Sequence, residues 1–400
     1  MDDKAYAEAL ARAPLPSELA FPRAEYEARH ARIRAAMDAA GLDALLIVDP
    51  ANIFYVSGNY PYETAMHASV LLPRDGEPVI QVASIEVAVA MLKSCIEDIA
   101  SYGWSSPTEI RDQLASLIRE RGLTDKRIGV EMQATGLRIQ HMDGLRAALP
   151  DVDFADSTDL LLDLRIVKSA AEIECLRKAA GYTWAGIEAG LAEIAPGKTD
   201  NDVAAAGFDA MVRAGSEFMS IQPVVTSGRR HGWIHSNFAR LPLVEGDTVF
   251  LEFGGVHNRY SAPMMRTAYL GTPPDDVLRI NGAVNETTRR IIEATRPGRT
   301  CHDVAVDAGK GFDPVRDVAF HSEVYGYTVG IEFPPTWVER SAFIVEGDET
   351  ELRPGMAFHL PTCFRVPSRF GVGTSETIVV TEGGCEVLTR PDRDLHVVPV

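Results

Sequence analysis

The feature that most constrains this chain is the run Ser169-Ala170-Ala171-Glu172. In such an S-x-x-E box the hydroxyl caps an amide of the first turn and the glutamate reaches back to the cap amide, so a long helix has to begin there. The pattern predicts a helix from Ser169 to about Ile194, where Pro196-Gly197 stops it. Thr199-x-x-Asp202 repeats the device for a helix to about Ala214. A chain of 400 residues is too long for one ordinary core. The helix start therefore places a second domain just ahead of it, and the domains are predicted as 1–160 and 161–400.

Before that point, helical periodicity from Ala24 ends at Gly41 and is followed by an apolar strand over 44–48. Strands over 68–72, 78–82 and 127–130, with a helix opened by Ser106-Pro107 and running to about Arg121, predict a mixed sheet with covering helices to about residue 155. Strands dominate again over 221–270, helices are predicted over 277–295 and 301–309, and strands return from Met356. VEGDTVFLEFGG (244–255) and LRPGMAFHLPT (352–362) share a Gly-containing turn followed by alternating strand residues. That echo predicts two related α/β halves folded over one site, an α/β (α+β) chain overall.

The charge sum, 39 − 57 = −18, repels polyanions at long range and argues against nucleic acid or an anionic membrane as partner. No basic and apolar leader opens the sequence and no apolar run approaches the roughly 20 residues that span a bilayer, so a cytoplasmic protein is expected. The five cysteines form no CxxC pair and are expected as reduced, semi-buried thiols.

The helix LRIVKSAAEIECLRKAA, the strand pair VFLEFGGVHNRYSAPMMRTAYLG, and LRPGMAFHL followed by TSETIVVTEGG resemble the creatinase and aminopeptidase P family. The resemblance covers nearly the whole chain. It implies a small N-terminal creatinase-like α/β domain and a C-terminal pita-bread catalytic domain. Metallopeptidases of that family hold two metal ions with two aspartates, a histidine and two glutamates, since hard ions sharing a water need carboxylate and imidazole ligands. Those positions fall here on Glu252, Pro263, Tyr327, Pro361 and Ser375. A proline side chain has no donor atom, so the resemblance implies no metal and no cofactor.

Metal loss of this kind characterises the metal-free hydrolases of the family. The creatinase segment SG-x6-H is similar to Ser227-Gly228 followed by His235, but its catalytic glutamates fall on Met265 and Pro361 and two further histidines on Tyr327 and Ser375. LEFGGVHNRYSAPMMRT, GYTVGIEFPPTWVER, PGMAFHL and TSETIVVT are more similar to the ectoine hydrolase branch. Departures over 59–66, 215–222 and 321–324 leave the substrate open.

Glu252 stands in a strand with Phe250, Leu251 and Phe253, where desolvation raises a carboxyl toward neutrality and suits a nucleophile or general base; a solvent-facing strand glutamate is the alternative. By its family position His235 would deliver a proton to a leaving nitrogen, unless it is a solvated loop histidine. Glu376 would orient a substrate nitrogen, exchange roles with Glu252, or pair with an arginine. The resemblance makes Arg340 a candidate fork for a substrate carboxylate, against a salt bridge with Glu339 or Glu332. His359 alternates with Phe358 and Leu360 as a core or site histidine. Tyr327 and Trp337 would wall a pocket, where a cation–π contact contributes on the order of 0.5–2 kcal/mol. His67 and Tyr62 belong to the domain that in this family reaches the partner subunit's active site, so a homodimer is expected.

The expected activity is metal-independent hydrolysis of a C–N bond in a small zwitterion, an ectoine-type cyclic amidine first. The alternatives are another hydrolase or lyase of a guanidino compound or compatible solute, a catalytically inactive binding homologue, and a metallopeptidase with displaced ligands.

Overall fold

The computed structural model describes residues 3–12, 16–106, 109–134, 136–390 and 392–400. The chain divides into two compact units, Met1–Leu164 and Arg165–Val400.

The first unit is built on a six-stranded mixed sheet, in the order Asp98–Tyr102, Val79–Ala83, Ser69–Pro73, Ala44–Ile47, Arg127–Val130, Asp153–Asp156. Three of its inner strands, Val79–Ala83, Ser69–Pro73 and Ala44–Ile47, are largely apolar runs of the sequence, buried along their length, as strands covered on both faces have to be. The edge strands Asp98–Tyr102 and Asp153–Asp156 carry too much acid and exposure to stand out in the sequence. The helix Arg23–Ala40 ends at Gly41 as its periodicity requires. The helix expected to open at Ser106-Pro107 runs over Glu109–Glu120, and Pro107 lies outside the described residues.

The second unit opens on the capping box. Glu172 N–H donates to Ser169 Oγ (3.3 Å) and Ser169 N–H to Glu172 Oε2 (2.7 Å), and the helix runs over Ala170–Glu193. The same glutamate accepts the Tyr260 hydroxyl at 2.6 Å, tying the helix start to a strand. Thr199 caps Asp200–Ala214 in the same way. A third box, Thr300 with Asp303, opens Cys301–Phe312 and carries that helix beyond the predicted end.

Two sheets follow the echo in the sequence. One holds His396–Val398, Tyr260–Leu270, Thr248–His257 and Val224–Ser227 in that order; the other holds Val338–Ile344, Gly326–Val329, Ala357–His359, Thr377–Thr381 and Gly384–Val387. The turns that launch the echoed strands match in conformation. Gly246 has φ 93° and Gly355 φ 91°, a region open to glycine at little cost. A hairpin of Thr362–Val366 and Phe370–Thr374 completes the unit. Among the described residues no helix is long and apolar enough to cross a membrane, and all five cysteines are free.

Buried charge fixes the start of this unit. Arg165 Nη2 lies 3.0 Å from Glu339 Oε1 and Lys168 Nζ 2.5 Å from Glu339 Oε2, all three side chains being buried, while Glu332 stands 3.8 Å from Arg165. Removing one partner of such a cluster leaves charge without compensation in low dielectric. Glu339→Gln is therefore expected to cost about 3–5 kcal/mol in urea unfolding followed by tryptophan fluorescence. Lys168→Met with Glu339→Gln, which leaves Arg165 balanced by Glu332, should lose less than the single variant.

Candidate active site

The ladder between Thr248–His257 and Tyr260–Leu270 decides which residues share a face. Glu252 stands opposite Met265, and Gly254 opposite Pro263. Alternation sends Val249, Leu251 and Phe253 into one apolar core, while Phe250 packs with Met265 and Cys363 on the other side. Glu252 shares the Phe250 side. A Cβ at Gly254 would meet the Trp337 ring at 2.9 Å, so the bare backbone there lets the indole approach.

A line of hydrogen bonds runs through this region. Trp337 Nε1–H donates to the Tyr327 hydroxyl oxygen (2.9 Å), which meets His359 Nδ1 at 2.7 Å. His359 Nε2 meets Ser375 Oγ at 2.6 Å, and that oxygen accepts the Met265 N–H at 2.7 Å. Burial pushes the His359 imidazole down to about 3, so it is neutral and carries one N–H. With that proton on Nδ1 the Tyr327 hydroxyl keeps its own proton for another acceptor; with it on Nε2, Ser375 does. Burial, with Glu252 adding to it, holds the Tyr327 phenol far above its ordinary value.

Glu252 is half-buried. Loss of water pushes its carboxyl up to about 7, the Arg365 guanidinium pulling the other way. His231, on the turn Gly228–Gly232, is buried and stacks on Phe250 with ring centroids 4.5 Å apart. Its Nε2 lies 3.7 Å from Cys363 Sγ and its Nδ1 is buried without a partner. Burial, helped by Arg365, keeps it neutral, and burial lifts the Cys363 thiol to about 11.

Of the residues singled out in the sequence, Tyr327, Trp337 and His359 are thus joined in one network, and the charge of Glu252 acts on Tyr327. Glu376 is fully buried and held at 3.0 Å by both Arg266 Nη2 and Arg393 Nε, with Thr389 Oγ1 donating to its second oxygen. His235 is exposed, at φ 55°, and Arg340 is exposed, at φ 64°, with no ion pair among the described residues. Glu339 is engaged by Arg165 and Lys168 instead. In the first unit His67 is buried, meets the Gly136 carbonyl at 3.3 Å and stands edge-on to His141 at 5.6 Å. Tyr62 is 87 % exposed.

Three residues were given no place at the site from the sequence: His231, Arg365 and Cys363, the last read only as one of five free thiols. The signal for the last two was present. In Thr362-Cys363-Phe364-Arg365-Val366, period-two alternation leaves a lone arginine on the face opposite Phe364 and Val366.

The side chains here do not fit a dinuclear metal centre. Tyr327 and Ser375 are occupied by His359, Pro263 has no donor, and no group of three or more His, Cys, Asp or Glu among the described residues could hold a metal ion.

Residues 174–382 match metallopeptidase family M24 and residues 29–167 match the creatinase/prolidase N-terminal domain. The chain is 32% identical to the ectoine hydrolase of Halomonas elongata over 95% of this chain and 98% of that one. It is 26% identical to the Xaa-Pro dipeptidase of Pyrococcus furiosus over 90% and 97%. The crystal structure of dipeptidase PepE from Mycobacterium ulcerans superposes with a TM-score of 0.80 at 27% identity, covering 95% of this chain and all of that one.

The raised carboxyl has a consequence for stability. The folded protein keeps the Glu252 proton up to about pH 7, whereas the unfolded chain releases it near 4.5. The contribution is fully present below about 4.5, is lost as pH rises to about 7, and is level above. The thermal midpoint of Glu252→Gln minus that of the wild type should therefore climb across this window and then flatten. His359 pulls oppositely in both proteins and cancels in the difference. A difference that stays flat with pH would contradict the placement of Glu252.

Proposed function

The chain belongs to metallopeptidase family M24, a family of hydrolases, with the creatinase/prolidase N-terminal domain ahead of its catalytic unit, and from that premise we propose that it hydrolyses a C–N bond without a metal ion. The substrate in this reading is a small zwitterionic cyclic amidine of the ectoine type. The observation that carries it is a single carboxyl, Glu252, brought to about 7 where the family's metal ligands begin, with Pro263 and Pro361 at two of the remaining positions. The likeness to an ectoine hydrolase along almost the whole chain supports the substrate class.

A carboxyl near 7 can take and return a proton at neutral pH. Ionised Glu252 accepts a proton from water as the water oxygen bonds to the amidine carbon and the C=N electron pair moves onto nitrogen. The protonated carboxyl then returns that proton to the ring nitrogen as its bond to carbon breaks. The proton left on the new carbonyl oxygen passes to the released amine, so the amidinium gives an acetamide and an ammonium group, with Glu252 again ionised. Tyr327, with His359 supplying the Nδ1–H, offers its hydroxyl to the substrate, and Trp337 fixes its angle. His235 is the alternative proton donor, on an exposed turn that would have to close on the substrate. The reading takes the protein as a cytoplasmic homodimer acting on a small molecule.

Proton NMR of ectoine with chelator-treated protein tests this: an acetamide methyl signal should replace that of the amidine. Glu252→Gln should lower turnover by about 10²–10⁴-fold with the fold intact. In the wild type kcat/KM should rise with pH, half-maximal near the value of Glu252, because the base works ionised. An active Glu252→Gln variant would sink the mechanism, and turnover restored only by added metal would sink the metal-independent reading.

A further inference from the structure

We propose that Arg365 is the carboxylate anchor of this site, the guanidinium that grips the acid group of a zwitterion whose reacting carbon lies at Glu252. The inference rests on the hydrolase reading above and deepens it by naming what recognises the substrate's negative end.

The strand Thr362–Val366 has two faces. Phe364 and Val366 are buried in an apolar core with Phe312 and Val372. Cys363 takes the other face, against Phe250, Met265 and His231. Arg365, two residues on, shares that face by alternation. Its placement agrees with its electrostatic reach: its charge acts on Glu252, His231, His321 and Cys363.

Arg365 is also uncommitted. Its Nη1 reaches only the Cys363 carbonyl, at 3.5 Å, and its Nε is buried with no partner. Among the described residues it makes no ion pair, whereas the buried arginines 165, 259 and 266 each do. A half-buried guanidinium without a carboxylate loses hydration and gains nothing in return, a cost that a bidentate acid group removes. The facing groups suit a zwitterion. His231 is neutral, and at the Cys363 thiol the charge of Arg365 meets that of one carboxylate, Glu252. The pair then offers an anion to the amidinium and a cation to the acid. On a chain of net charge −18 such a local cation is what lets an anionic group approach.

The test compares ectoine with its decarboxylated analogue, 2-methyl-1,4,5,6-tetrahydropyrimidine, in wild type, Arg365→Gln and Arg365→Lys, on the pH-independent plateau so that any shift of Glu252 drops out. The preference for ectoine, as a ratio of kcat/KM, should fall about 100-fold in Arg365→Gln, chiefly through KM, with Arg365→Lys between. Thermal melts establish that the variants fold. If ectoine is opened and the ratio is unchanged, the anchor is overturned and the hydrolase reading stands. If neither amidine is opened, saturation-transfer NMR with millimolar isobutyrate decides. Binding lost in Arg365→Gln upholds the anchor while the hydrolase reading falls; no binding, or equal binding to both proteins, overturns the anchor too.

Discussion

The register between Thr248–His257 and Tyr260–Leu270 is the constraint on which the rest of the catalytic unit depends. A shift of one residue would turn Glu252 into the helix-packed core and bring Leu251 or Phe253 to the site. The surroundings hold it in place. Tyr260 is fastened to the helix cap through Glu172, Thr183 Oγ1 accepts the Gly255 N–H at 2.8 Å, and Ser375 accepts the Met265 N–H. Thus the polar groups that secure the ladder include one end of the line that leads through His359 to Tyr327. Structure and chemistry draw on the same hydrogen bonds.

That line shows what has become of the positions that carry metal ligands in the metallopeptidases this chain resembles. Tyr327 and Ser375 are bridged by a neutral histidine instead of converging on ions. An imidazole depressed by burial is a poor acid or base by itself, yet it can relay a hydrogen bond between two hydroxyls by changing tautomer. Glu252 is the group whose proton affinity suits neutral water. In the proposed reaction the acid–base work falls to one carboxyl and orientation to its neighbours.

Much of this was legible in the sequence where the signal is local. Capping boxes at Ser169 and Thr199, the apolar strands of the first unit and the two glycine turns are short-range chemistry, and the structure repeats them. Glu252 was legible because a carboxylate in an apolar strand is an anomaly on its own. The rest depended on distant partners. Glu376 looked like Glu252 in the sequence, but Arg266 lies 110 residues before it and Arg393 17 residues after it, and neither pairing has a spacing rule. His231 and His235 are only four residues apart; the fold alone shows that the first is stacked on Phe250 and the second exposed.

The pairing of Glu376 also sets an order in time. Its charge is matched from both sides, by Arg266 made long before it and Arg393 made after it, while His396–Val398 adds a parallel strand beside Ala268–Leu270. Synthesis adds Glu252, Tyr327 and His359 to the chain before the residue that closes this charge cluster exists. Contacts of such long sequence separation form late, after the entropy of closing the loop has been met. Closing of this unit therefore waits on residues made after its central strands, and until His396–Val398 pairs, Tyr260–Leu270 keeps a bare edge that a chaperone, or another nascent copy, could meet first.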